Sequence, residues 1–179
     1  MSALPIFDLD GTLIDSDAAL NAPFTALGID LERVEYGLPL DVACARLGIA
    51  VDDYLAHYDT SLAVPYSGVP ELLAQLDRWA VCSNKQRGSG AAELDRLGWA
   101  PAVALFADAF VGTKELGPVV DRLGVDAGDV VFVGDTEHDR RCALDVGCRF
   151  AVAGWNIRAR DLDGDVFLRH PLDLLDLLG

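Results

Sequence analysis

Five short apolar runs punctuate this chain: "ALPIF" (3–7), "WAVCS" (79–83), "AFVG" (109–112), "VVFVG" (130–134) and "RFAVAG" (149–154). Each is apolar on both faces, as a strand buried between two helix layers must be. Segments with helical spacing lie between and after them: "VPELLAQL" (69–76), "GAAELDRLG" (90–98), "LGPVVDRLG" (116–124), "TEHDRRCALDVG" (136–147) and "PLDLLDLL" (171–178). Three of these close on glycine, the residue that most easily adopts the left-handed conformation ending a helix. Strands alternating with helices predict a parallel sheet covered on both faces, an α/β fold of Rossmann-like design.

Residues 16–65 break the alternation. "AALNAPFTALG", "LDVACARLG" and "VDDYLAHYDTSL" read as three short amphipathic helices with no strand among them. The spacing predicts a core built from 1–15 and 66–179, interrupted by a small all-helical insert over 16–65. Asp15 and Ser16 fall where the chain leaves for the insert, as hinge and helix N-cap.

Ligands of parallel α/β sheets bind beyond the carboxyl ends of the strands. Behind the first run come Asp8, Leu9, Asp10 and Gly11. Behind the second come Ser83, Asn84 and Lys85, behind the third Lys114, and behind the fourth Asp135 and, one helical turn on, Asp139. Several carboxylates in one pocket raise one another's pKa unless a cation joins them. A hard divalent ion such as Mg²⁺ suits oxygen ligands. Ser83 can donate to a phosphate oxygen, Lys114 can neutralise phosphoryl charge, and the backbone N–H groups around Leu9–Gly11 can cradle an anion. The pattern predicts phosphoryl transfer.

The 179-residue chain carries a net charge of −15, which argues against nucleic acid and anionic membranes as partners. Its only lysines are Lys85 and Lys114. The four cysteines (Cys44, Cys82, Cys142, Cys148) form no CxxC pair and read as buried thiols of a reducing cytoplasm. The N-terminus lacks the pattern of a signal peptide. No apolar run approaches the roughly 18 residues of a membrane span.

"DLDGTLIDS" resembles the first motif of the haloacid dehalogenase superfamily in its phosphatase form, DxDGTLxDS. "VCSN" is similar to the second motif, Lys114 stands where the third motif's lysine is expected, and "VVFVGDTEHD" is similar to the fourth. "VPYSGVPELLAQL" resembles the return from a helical cap in the phosphoglycolate-phosphatase-like branch. The resemblance spans nearly the whole chain. It implies Asp8 as the nucleophile of an aspartyl-phosphate and Asp10 as general acid, then base. It implies Mg²⁺ held by Asp8, the Asp10 backbone carbonyl and Asp135, with Asp139 acting through water or orienting Lys114. The stretch from Val111 to Arg122 is short for this family, and Lys114 precedes Glu rather than Pro, so Lys85 stands as the alternative active-site ammonium. Arg33 and the "YGLPL" loop lie where caps of this branch reach toward substrate. The acid at Asp10 points away from dehalogenases, whose halide leaving group needs no proton. The expected activity is a Mg²⁺-dependent phosphatase acting on a small phosphorylated metabolite, with the chain a cytoplasmic monomer. A phosphomutase shares these residues. A phospho-Asp receiver domain would place its acceptor on a middle strand and lack the insert.

Overall fold

A computed structural model describes residues 3–179; Met1 and Ser2, which open the expected core segment 1–15, lie outside the described residues. The strands are β1 (Leu4–Phe7), β2 (Ile14–Asp15), β3 (Val64–Pro65), β4 (Ala80–Cys82), β5 (Val103–Leu105), β6 (Val130–Gly134), β7 (Arg149–Ala153) and β8 (Val166–Leu168). The helices are α1 (Asp17–Ala26), α2 (Leu40–Leu47), α3 (Val51–Ala56), α4 (Val69–Leu73), α5 (Arg87–Arg96), α6 (Gly117–Leu123), α7 (Glu137–Val146) and α8 (Leu175–Leu178).

Six strands form one parallel sheet in the order β5-β4-β1-β6-β7-β8. This is the α/β architecture expected from the alternating runs. All five residues of β6 are buried, because helices cover the sheet on both sides. Side-chain alternation divides the interior in two. Phe7, Val81, Val131 and Val133 pack on one face with Leu72, Trp79 and Leu94. Ile6, Ala80, Cys82 and Phe132 pack on the other with Leu116, Val119 and Phe150. The chain winds outward from β1 through β4 to β5 and then crosses to β6 on the other side of β1. The carboxyl end of β1 is therefore the topological switch point, where such sheets open a crevice.

Three differences from the sequence reading stand out. "AFVG" is not a strand: the third strand is β5, a few residues earlier. Register decides this, since Val103 pairs with Ala80 and Leu105 with Cys82, while Val111 is 98% exposed and has nothing to pack on. The strand β8 was not anticipated, because only one of its three residues is buried and its pattern is weak. The tail helix splits into a 3₁₀ turn, Pro171–Leu174, followed by α8.

Between β1 and α4 the chain makes a detour. β2 and β3 pair antiparallel, Ile14 with Pro65 and Asp15 with Val64, so the detour leaves and returns along adjacent strands. The helices α1, α2 and α3 lie between them and own a separate small core of Phe24, Cys44 and Tyr54. The rings of Phe24 and Tyr54 are 4.8 Å apart, and the Tyr54 hydroxyl donates to the Leu20 carbonyl at 3.0 Å. Ser16 stands at the N-cap of α1, but its side chain makes no capping bond. Asp15 Oδ1 instead accepts from the Asp17 amide at 3.3 Å.

Candidate active site

The loops after β1, β4 and β6, with the connection that follows β5, converge on one crevice. Asp8 continues β1, its amide donating to the Val133 carbonyl at 2.9 Å. A tight turn follows, in which the Leu9 carbonyl accepts from the amides of Leu13 and Ile14. The Leu9 side chain is buried in the core, so its backbone alone bears on the site. Gly11 has a φ of +81°, and a Cβ there would lie 2.3 Å from Asp135 Oδ2 and 2.9 Å from Asn156 Nδ2. Only glycine combines that backbone with that approach.

Lys114 lies at the centre. Its buried ammonium is 2.7 Å from Asp8 Oδ1 and 2.6 Å from Asp139 Oδ1, although neither oxygen gains a hydrogen bond of good geometry. Burial alone would lower the lysine's pKa; Asp139 and Asp8 outweigh it and hold the value well above 10.5. Asp139 is fixed by a capping box at the start of α7: Thr136 Oγ1 accepts from the Asp139 amide, and Asp139 Oδ2 accepts from the Thr136 amide at 3.0 Å. Gly134 makes room for it, since a Cβ there would lie 2.6 Å from Asp139 Cγ.

The second lysine has its own acid. Lys85 Nζ is 2.6 Å from Asp10 Oδ1 and 3.1 Å from Glu93 Oε2, beneath the ring of Tyr58. Glu93, on α5, is completely buried, and its other oxygen accepts from the Tyr58 hydroxyl at 2.5 Å. Burial raises the Glu93 carboxyl, opposed by Lys85. Both lysines thus line the crevice, and each pairs with different acids.

Ser83 follows β4, buried, with Oγ accepting from the Lys85 amide at 3.2 Å. Asn84 acts as a tie: its carbonyl oxygen accepts from the Lys114 amide at 2.6 Å, and its Nδ2 donates to the Gly37 carbonyl at 2.9 Å. Asp135 is held by Thr12 Oγ1 at 3.2 Å and by Asn156 Nδ2 at 2.8 Å. Arg33 lies elsewhere. It lines a separate cleft of about 210 Å³ beside Arg46 and Leu47 and does not line the crevice over Asp8.

The residues fit a divalent cation. Carboxylate oxygens of Asp8, Asp135 and Asp139 lie within 4.8 Å of one another. One lysine balances three acids, two of them buried, an excess of negative charge that a divalent ion would offset. The strain registers as pKa: burial, against the pull of Lys114, pushes Asp8 up to about 7, and burial with Asp8 and Asp139 raises Asp135. The donor set is all oxygen, the preference of hard ions.

Sequence reasoning missed Glu93, Tyr58 and Asn156. Glu93 and Asn156 follow no motif. One signal was available: "GAAELDRLG" places an acid among the apolar positions of a helix packed on the core, and a buried acid requires a partner.

A family model described as haloacid dehalogenase-like hydrolase matches residues 5–153. N-acetylmuramic acid 6-phosphate phosphatase of Pseudomonas aeruginosa is 29% identical over 210 residues, covering 97% of this chain and 93% of that protein. Phosphoglycolate phosphatase of Xanthomonas campestris is 30% identical over 205 residues, covering 94% and 93%. Among solved structures, CbbY from Rhodobacter sphaeroides in complex with phosphate superposes with a TM-score of 0.77 at 21% identity, covering 99% of both chains. These likenesses and the order of the site motifs agree. The chain belongs to the haloacid dehalogenase-like hydrolase family, in its phosphoglycolate phosphatase-like branch.

Proposed function

We propose that the chain is a Mg²⁺-dependent phosphatase that hydrolyses a small phosphomonoester through an aspartyl-phosphate on Asp8. One observation carries this reading: Asp8, Asp135 and Asp139 cluster, a single buried lysine pairs with Asp8 and Asp139, and Asp10, two residues from Asp8, is held by a different lysine. The bound ion would keep the carboxylates ionised and neutralise charge on the phosphoryl oxygens, held by Asp8, Asp135 and the Asp10 backbone carbonyl, with Asp139 beside them.

Asp8 attacks phosphorus while the ester oxygen leaves, taking its proton from Asp10. Lys85 occupies one oxygen of Asp10 and leaves the other for the proton. Water then attacks phosphorus, giving its proton to Asp10, and the P–O bond to Asp8 breaks. Phosphate departs and both acids return to their starting forms. Lys114 steadies charge on the phosphoryl oxygens, Ser83 donates to one of them, and the Leu9–Gly11 backbone faces another. Asn84 lines the crevice beside the phosphate position and supports Lys114 through its side-chain oxygen. Residues 16–65 serve as a cap on the core formed by 1–15 and 66–179. Four buried free cysteines suit a reducing cytoplasm, and the chain acts as a monomer.

The test is phosphate release from p-nitrophenyl phosphate and a metabolite panel, with Mg²⁺ and with EDTA. Release that requires the metal and disappears in Asp8→Asn supports the reading. Full activity in Asp8→Asn, or no metal-dependent release from any substrate, overturns it.

A further inference from the structure

The crevice over Asp8 encloses about 520 Å³, within the range of pockets that hold drug-sized ligands. Its two ends differ in chemistry. At the floor are the acids and lysines described above. The opposite wall comes from the helical detour and is apolar: Leu20, Phe24, Val34, Leu38, Leu40 and Tyr54. A phosphate bound at the floor turns its leaving group toward this wall.

The cations lining the crevice are Lys85, Lys114 and Arg158, and each already faces a carboxylate. Lys85 pairs with Asp10 and Glu93, Lys114 with Asp8 and Asp139, and Arg158 with Asp17 while lying over the Tyr36 ring. The acids that line the crevice beyond these pairs and Asp135 are Glu35, which faces Arg46, Glu137, which faces Arg140 and Arg141, and Asp161. The phosphate can be balanced by a divalent ion and Lys114. A second anion on the same substrate would meet no uncommitted cation, would lose its hydration against apolar side chains, and would face those acids.

We propose that the pocket selects phosphomonoesters whose leaving group is apolar or aromatic and carries no second negative charge, and that it discriminates against carboxylated substrates, two-carbon acids included. The latter would leave most of the apolar wall uncovered as well as placing a carboxylate against it. This inference rests on the phosphatase reading above.

A matched pair of substrates tests it: phenyl phosphate against 4-carboxyphenyl phosphate, which share a body and differ by one anion, with 2-phosphoglycolate as a third. With Mg²⁺ present, kcat/KM for 4-carboxyphenyl phosphate is expected to be at least about tenfold below that for phenyl phosphate, and the gap to narrow as ionic strength rises. For 2-phosphoglycolate it is expected to be lower still. Leu38→Arg places a cation on the wall and should narrow the gap several-fold. Should that variant fail to fold, Glu35→Gln removes one acid from the mouth at an exposed position and should act in the same direction. Equal or faster turnover of the carboxylated substrate overturns the inference while leaving the phosphatase reading intact. Absence of metal-dependent release from all three, and from the wider panel, overturns both.

Discussion

Lys85 Nζ lies 2.6 Å from Asp10 Oδ1, while Lys114 Nζ lies 2.7 Å from Asp8 Oδ1. The chain's only two lysines are therefore divided between two acids that lie two residues apart. In the proposed mechanism the division separates two jobs, steadying phosphoryl charge and holding the proton carrier, and the two should respond differently to mutation.

Lys114→Met is expected to lower kcat by about 10³-fold, the scale of removing a main electrostatic stabiliser. Lys85→Met should cost activity less and stability more, because it leaves Glu93 buried without its cation. Breaking such a pair costs about 3–5 kcal/mol. Urea denaturation checks this, and Lys85→Met/Glu93→Gln should regain much of the loss. A double variant no more stable than Lys85→Met would contradict the pairing.

Gly11→Ala should damage the proposed metal site without replacing a ligand. The added methyl must occupy space held by Asp135 Oδ2, 2.3 Å away, at a φ of +81°. Titration calorimetry should find Mg²⁺ affinity reduced by more than about tenfold, since supporting contacts around a metal site carry effects of that size. Affinity within twofold of the parent would show that Asp135 moves aside at no cost to the site.

Asp8 links pH to metal binding. Its carboxyl is held at about 7 rather than 3.8, so the folded chain binds that proton more tightly than the unfolded chain does. A raised carboxyl withdraws stability as pH climbs through this window, and the full penalty stands above about 7. A divalent ion binds the ionised form and offsets the penalty. Mg²⁺ should therefore raise Tm more at about pH 8 than at about pH 5.5. One competing proton is worth about 1.4 kcal/mol per pH unit, and each kcal/mol about 2–4 °C in a chain of this size. An equal Mg²⁺-induced shift at both pH values, measured by scanning calorimetry, would contradict this account.

Tyr58→Phe removes one hydroxyl and leaves Glu93 Oε1 buried without its donor. The expected loss is about 1–3 kcal/mol in urea denaturation. A loss under about 0.5 kcal/mol would mean that the hydroxyl contributes little to holding Glu93.

The sheet and the carboxyl-end position of Asp8 and Asp135 were legible because buried strands are continuously apolar and their acids follow directly. β5 was misplaced because short apolar runs a few residues apart are equally good strands until a partner's register chooses between them. Lys114 was legible only by its order in the chain, since a loop rather than a strand delivers it. Glu93, Tyr58 and Asn156 come from three separate stretches of chain and reach their partners only after folding. Position in the detour likewise does not say which side of the loop faces the crevice, and Arg33 lines the neighbouring cleft.

The tie made by Asn84 has a further consequence. The same amide group grips the Gly37 carbonyl of the detour and the backbone of Lys114. Drawing that loop aside would break the bond from Nδ2 to Gly37 and leave Oδ1 on the Lys114 amide. The doorway thus hangs from one half of an amide while the other half keeps its hold on the floor of the crevice.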